Sequence, residues 1–401
     1  FVYPVGERSG CRMSTVGAFA AADRKRGIAI WLFVLAGFVF LMVVLGGATR
    51  LTHSGLSMVE WRPITGWLPP LTEAEWQRTF AAYQGYPEYQ KINAGMTLEA
   101  FKGIFWLEYV HRLTGRLMGV VFLLPFLIFL LRRQIDRRLG LRLAFIFLLG
   151  ALQGGLGWLM VRSGMVDRPD VSQYRLVAHL TAALLIYGLV LWTAFGLVAT
   201  PQPAQPQAQP GPPPLFMAAV GTSVLVLLTI IWGGFVAGTD AGFAYNTFPL
   251  MDGELVPSLI FPYHPLYVNF FEDVTTIQFT HRLLATVVLT AAIGLFMASR
   301  AMRADARAHR AAGLLLLAIA AQYGLGAATV LMAVPVPLGV AHQGGAVVVW
   351  SLSLWLTFAL RPGAAVTPIR AVHFAARGNT ITTTAASYDS AAGAAVQREP
   401  G

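Results

Sequence analysis

The chain has 401 residues, of which 56% are hydrophobic and 12% charged, about half the charge of an ordinary soluble domain. The formal net charge is +10, but the arginines cluster beside long uncharged stretches, which reads as membrane topology rather than nucleic-acid binding. A single cysteine, Cys11, excludes an internal disulfide and a cysteine-ligated metal cluster.

Residues 1–26 read as an N-terminal tail. Met13 is a candidate start, so the first dozen residues are kept out of the fold reading. A membrane-crossing helix takes about 20 mostly apolar residues. Eight segments qualify, at approximately 27–47, 106–131, 143–161, 175–199, 215–237, 277–298, 312–333 and 338–360. Arg24-Lys25-Arg26 precedes the first. The loop from Arg132 to Arg142 carries five arginines and one aspartate, and that from Arg300 to Arg310 four arginines and one aspartate. These loops belong on the cytoplasmic side. The loop holding Asp240, Asp252, Glu254, Glu272 and Asp273 has no Lys or Arg and belongs outside. The long loop from Ala48 to Lys102, with five basic and five acidic residues, can be exported. Both termini are then cytoplasmic. Residues 201–214, PQPAQPQAQPGPPP, read as an extended linker. Residues 361–401, rich in Ala, Thr and Ser, read as a disordered cytoplasmic tail.

The two sides of the linker repeat each other. Glu108-Tyr109-Val110-His111-Arg112-Leu113 matches Gln278-Phe279-Thr280-His281-Arg282-Leu283. Val177-Ala178-His179 matches Val340-Ala341-His342, and Gln153-Gly154-Gly155-Leu156-Gly157 matches Gln322-Tyr323-Gly324-Leu325-Gly326. All three matches keep nearly the same offset along the chain, which chance alignment would not produce. Gly46-Gly47 and Gly233-Gly234 also correspond, at a larger offset, because the first external loop is longer. The expected fold is all-α and integral to the membrane. Its eight helices form two tandem four-helix bundles, 27–200 and 215–360, related by a pseudo-two-fold axis along the membrane normal.

Four of the eight histidines fall inside spans: His111, His179, His281 and His342. Each lies in the first two turns or so of an even-numbered span, which puts all four at one level near the outer face. Ionisable groups inside a membrane are costly and usually functional. A pair on neighbouring helices can hydrogen-bond between helices, hold a metal ion or clamp a haem iron from both faces. Zinc generally asks for three or four protein ligands, so two histidines per half suit haem better. Gly154, Gly155, Gly157, Gly324 and Gly326 either pack helices tightly or let a flat macrocycle approach. Arg112 and Arg282 directly follow a histidine. They can pair with haem propionates or snorkel to the interface. His53, His264, His309 and His373 fall in loops or the tail and read as surface residues.

The halves differ at one position. Glu108 lies three residues before His111, on the same helix face, where the second half has Gln278. A carboxylate can exchange a proton or stabilise a developing cation, and an amide cannot. The first half therefore reads as catalytic and the second as a fixed electron-transfer centre.

Eight spans in tandem, an E-x-x-H in the second span and histidines in the fourth, sixth and eighth resemble the haem A synthase family over about Gly27 to Leu360. Gly46-Gly47-Ala48-Thr49-Arg50-Leu51-Thr52, Ser54-Gly55-Leu56-Ser57, Phe101-Lys102-Gly103-Ile104-Phe105-Trp106 and Asn246-Thr247-Phe248-Pro249-Leu250-Met251 are similar to its proteobacterial and mitochondrial branch. The resemblance implies an oxidoreductase of the bacterial inner membrane. Such an enzyme converts a ring methyl of haem O to a formyl group through hydroxylated intermediates, giving haem A for cytochrome oxidase. It also implies roles for individual residues. His111 and His179 would bracket substrate haem O beside catalytic Glu108, and His281 and His342 would ligate a resident haem b. Haem O synthase, oxidase assembly factors and an electron acceptor are the implied partners. Cysteine pairs found in loops of other family members are absent here, and His53 carries no assigned role. A membrane cytochrome b that only passes electrons, or a non-enzymatic haem carrier, would use the same four histidines.

Overall fold

A computed structural model describes residues 10–62, 65–166, 169–199, 213–304 and 306–361. Most of the expected linker and all but the first residue of the expected tail lie outside them. Among the described residues there is no strand, and eight helices are long and apolar enough to cross a membrane. They are α1 (Gly10–Leu51), α4 (Leu98–Leu131), α5 (Arg137–Ser163), α6 (Gln173–Val198), α7 (Pro213–Gly238), α9 (Val274–Ala301), α10 (Ala306–Leu331) and α11 (Val336–Leu360). Short helices α2 (Glu73–Gln84) and α3 (Pro87–Lys91) follow α1, and α8 (Asn269–Glu272) precedes α9. The protein is a multi-pass membrane protein, as the composition requires.

Three boundaries differ from the sequence reading. Helix α1 begins at Gly10, well before the apolar stretch. The last two prolines of the expected linker open α7, where missing N–H donors leave no helical bond unmade. Helix α4 begins at Leu98, about two turns early. Its N-cap Thr97 accepts from the Ala100 amide, and Phe101, Phe105 and Tyr109 form an aromatic stripe at four-residue spacing. That stripe packs on Trp76, Phe80 and Tyr83 of α2. The extension is therefore held by an aromatic cap outside the bilayer, not by lipid. Helix α2 is set by a capping box, Thr72 and Glu75.

The spanning helices form two rings. One closes through α1, α4, α5 and α6, the other through α7, α9, α10 and α11. The rings meet where α1 touches α11, α6 touches α7, and α6 touches α11. Exchanging α1 with α7 and α6 with α11 leaves this contact pattern unchanged. In their most apolar windows α1, α6 and α11 have 44%, 39% and 50% of residues buried, against 11% for α4 and 6% for α5. The former are central, and the latter turn leucines such as Leu124 and Leu152 outward to lipid. Lipid tails offer no hydrophobic incentive for helices to associate, so packing and hydrogen bonds must hold them. Tyr187 and Ser351 hydroxyls lie 2.7 Å apart between α6 and α11. Trp350 Nε1 donates to Leu184 O at 3.2 Å, and Gln343 Nε2 to Val43 O at 2.7 Å. Gly47 permits the last contact, since a Cβ there would fall 2.4 Å from Gln343 Oε1.

Candidate functional site

All four intramembrane histidines lie at the end of the bundle capped by the long loops. His179 and His342 are each the seventh residue of their helix, and His281 is the eighth of α9. His111 is the fourteenth residue of α4, because that helix projects further into the cap.

The environments repeat in pairs. His281 Nδ1 lies 3.1 Å from Thr229 O of α7. His111 comes close to the backbone of Met42 on α1, which stands to Thr229 in the register that relates Gly46 to Gly233. A Cβ on Gly46 would come within 3.3 Å of the His111 ring, and one on Gly233 within 3.0 Å of the His281 ring. Gln153 Nε2 contacts His179 Nδ1 at 3.1 Å and donates to His179 O at 2.8 Å. Gln322 does the same to His342 at 3.0 and 2.7 Å. Gly157 and Gly326 are the floor under these rings, where a Cβ would fall 2.9 and 2.8 Å from Cε1. Of the five glycines singled out in the sequence, these two make room for the histidine itself. Gly154, Gly155 and Gly324 face open space.

His111 and His179 are close enough to interact electrostatically, as are His281 and His342. The His281 and His342 ring centroids are 6.4 Å apart with planes at 87°. An imidazole nitrogen binds a metal at about 2 Å, and its ring centroid lies about 1 Å behind it given ring bonds near 1.33 Å. Two imidazoles facing one metal therefore put their centroids about 6 Å apart, so this pair fits a single shared iron. Groups of three or more His, Cys, Asp or Glu suited to a bare metal ion are absent among the described residues.

Glu108 is buried at 2% exposure. Its Oε2 accepts from Ser57 Oγ and from the Met58 amide, both at 2.6 Å, and its Oε1 accepts from Arg112. All three partners are donors, so the carboxylate works as an acceptor. Arg112 also donates to Met58 O and Glu60 O. In the second half Arg282 donates to Tyr245 O and Thr247 O at 2.7 and 2.8 Å. Those carbonyls stand to Met58 and Glu60 in the same register as Gly233 to Gly46. Each arginine thus holds the loop that leaves the first helix of its half. Gln278 Nε2 donates to Tyr245 O at 3.1 Å.

Ser57, Met58, Gln153 and Gln322 had no assigned role in the sequence reading. The glutamines were visible in the repeat, and their matched distance from a histidine was the available signal. Ser57 stood in a quoted motif, but nothing in that motif shows that its hydroxyl reaches Glu108. His53 and His309 take no part in the site. His53 sits in the turn after α1, and His309 bonds Ser299 at 2.9 Å near the start of α10.

Eight spans with two matched pairs of intramembrane histidines define a multi-pass membrane protein with a polar site repeated in each half. Comparison with known proteins narrows the class. A family model described as cytochrome oxidase assembly protein (COX15-CtaA) matches residues 29–354. "Heme A synthase" of Nitrosospira multiformis is 49% identical over 84% of this chain and 94% of its own length. The protein of that name from Rhodospirillum centenum is 48% identical over 86% and 91%, and that from Paramagnetospirillum magneticum 49% over 84% and 94%. The chain belongs to the haem A synthase family.

Proposed function

We propose that the protein is a haem A synthase that oxidises a ring methyl of haem O to a formyl group in the first half and keeps a haem b in the second. Both termini would face the cytoplasm of a bacterial inner membrane, and a pseudo-two-fold axis along the membrane normal would relate the halves. The observation that carries the reading is the matched pair of histidine sites, of which one alone has a buried carboxylate three residues before its histidine. His281 and His342 are the expected ligands of the resident haem, which would supply one-electron chemistry when bound. His111 and His179 would position the substrate haem. The His179 Nδ1 is engaged by Gln153, which fixes how that ring is turned. Arg112 and Arg282 would meet propionates with donors left over from the loop carbonyls.

Glu108 would act on the substrate carbon. Held by Ser57, Met58 and Arg112, it cannot swing away, and a fixed negative charge favours a cation developing nearby. It would also accept the proton released from that carbon as two electrons leave to an external electron acceptor and water adds to the carbon, with Ser57 Oγ as the next hydrogen-bonded oxygen. Gln278 can do neither.

The test is haem analysis of protein purified from cells that make haem O. Wild type should yield haem A or its hydroxylated precursor. Glu108→Gln should retain haem b and lose formyl product by about 100-fold or more, the usual scale for a proton-transferring group. Undiminished haem A from that variant would refute the assignment of Glu108.

A further inference from the structure

The two arginines do the same mechanical work but end with different charge balance. Arg112 holds Met58 O and Glu60 O and is neutralised by Glu108. Arg282 holds Tyr245 O and Thr247 O, and Gln278 beside it is neutral. Arg282 makes no ion pair among the described residues. Its Nε is buried without a hydrogen-bond partner, and so is Gln278 Oε1. The acidic group acting on it is Asp252, which is exposed and bonded to Thr247. The second half therefore holds a partly buried cation with a spare donor beside the His281–His342 pair. A buried donor left unmade is costly, and a carboxylate is the partner that satisfies both its hydrogen bond and its charge.

We propose that the Glu108/Gln278 difference also sets haem retention. Gln278 leaves Arg282 free to bind a haem propionate through Nε, which locks the second-half haem in place. Glu108 neutralises Arg112, so the first-half haem would be held by His111 and His179 with weaker carboxylate anchoring and could leave as product. This assignment rests on the two-site reading above. It gives Gln278 a function as a specificity-determining residue, where the sequence showed only a missing carboxylate.

The test measures haem release from the full-length holoprotein in detergent to excess apomyoglobin, followed by absorbance. Gln278→Glu would neutralise Arg282 and should speed release from the second half about tenfold or more, the scale of a charge-assisted hydrogen bond. Gln278→Met, neutral and of similar length, should release at close to the wild-type rate. Arg282→Gln should reproduce the fast release, which covers the case of a Gln278→Glu protein that does not accumulate. Haem O bound without an electron acceptor should leave Glu108→Gln more slowly than wild type, because Arg112 is then uncompensated. Second-half release at the wild-type rate from Gln278→Glu, or from Arg282→Gln where the former cannot be made, would overturn the proposal. If His281→Ala keeps the full haem content, it is the two-site reading that fails. If that content falls while Gln278→Glu releases normally, only the charge-balance proposal fails.

Discussion

In the first half the loop after α1 is tied to α4 through a carboxylate, whereas in the second the loop after α7 is tied to α9 by a guanidinium and neutral groups. Glu108 takes a hydroxyl, an amide and an arginine, and Arg112 holds the Met58 and Glu60 carbonyls, so residues 57–60 are tied through this ion pair. The second loop has Arg282 and Gln278 in place of that pair, and further bonds of its own. Asn246 Nδ2 donates to Gly242 O and Val330 O, and Thr247 Oγ1 donates to Leu250 O and accepts from the Asp252 amide. The loop is cross-linked to itself and to α10. Duplication thus leaves the histidine geometry in both halves while the connection between site and loop differs. On the proposed reading, a site that exchanges its haem would gain from a loop responsive to its chemistry, and one that keeps its haem from a loop that is not.

The largest effect expected to separate the halves comes from the paired histidines. His281→Ala should abolish the haem b spectrum of the purified protein, since one remaining nitrogen cannot hold the shared geometry. His111→Ala should leave that spectrum in place and abolish product. A protein in which either change removes both haems together would show that the halves are one cooperative site rather than two.

A smaller effect is expected at the glutamines behind the α6 and α11 histidines. Outer-shell partners of metal-binding histidines typically alter affinity or activity by about 10–100-fold. Gln322→Leu should weaken second-half haem binding by about that factor, with product chemistry in the first half reduced only through loss of its electron partner. Gln153→Leu should act on substrate haem and leave resident haem content unchanged. The readouts are haem stoichiometry for the former and substrate concentration dependence for the latter. Equal effects of the two changes on both haems would blur the distinction between the halves.

The contrast between what was legible and what was not follows the same physics. Eight spans were readable because a charge-free stretch of that length has no soluble alternative. Their ends were less so. The start of α4 at Leu98 depends on α2 supplying aromatic partners for Phe101 and Phe105, a tertiary event with no local sign. The histidines were readable as a repeated cost. The work of Arg112 and Arg282 was not, because their acceptors are backbone carbonyls and any residue type provides one. The register that pairs Gly46 with Gly233 also pairs Met58 with Tyr245 and Glu60 with Thr247. Extending it past the glycines would have pointed to the loops.

The smallest predicted effect lies in the cap, which has no equivalent in the second half among the described residues. Glu88 is buried at 2% exposure beneath α2, accepting from the Tyr83 hydroxyl at 3.2 Å, while Asn93 Nδ2 donates to the same hydroxyl at 2.8 Å. Burial pushes its carboxyl up to about 8, with Glu108 and Asp170 adding repulsion and the Tyr83 bond opposing. The folded cap therefore binds a proton that the unfolded cap releases near the ordinary value of 4.5. The stabilisation is fully present below about pH 4.5 and is lost progressively as pH rises to about 8. Amides of α2 and α3 should accordingly lose protection from hydrogen exchange, corrected for intrinsic rate, as pH rises through that window. Glu88→Gln, which keeps the shape and cannot ionise, should flatten that dependence. Haem content of the second half should not follow either change, because among the spanning helices α2 packs mainly on α4. Second-half haem loss that tracks the Glu88 titration would mean that the two halves are coupled through the cap.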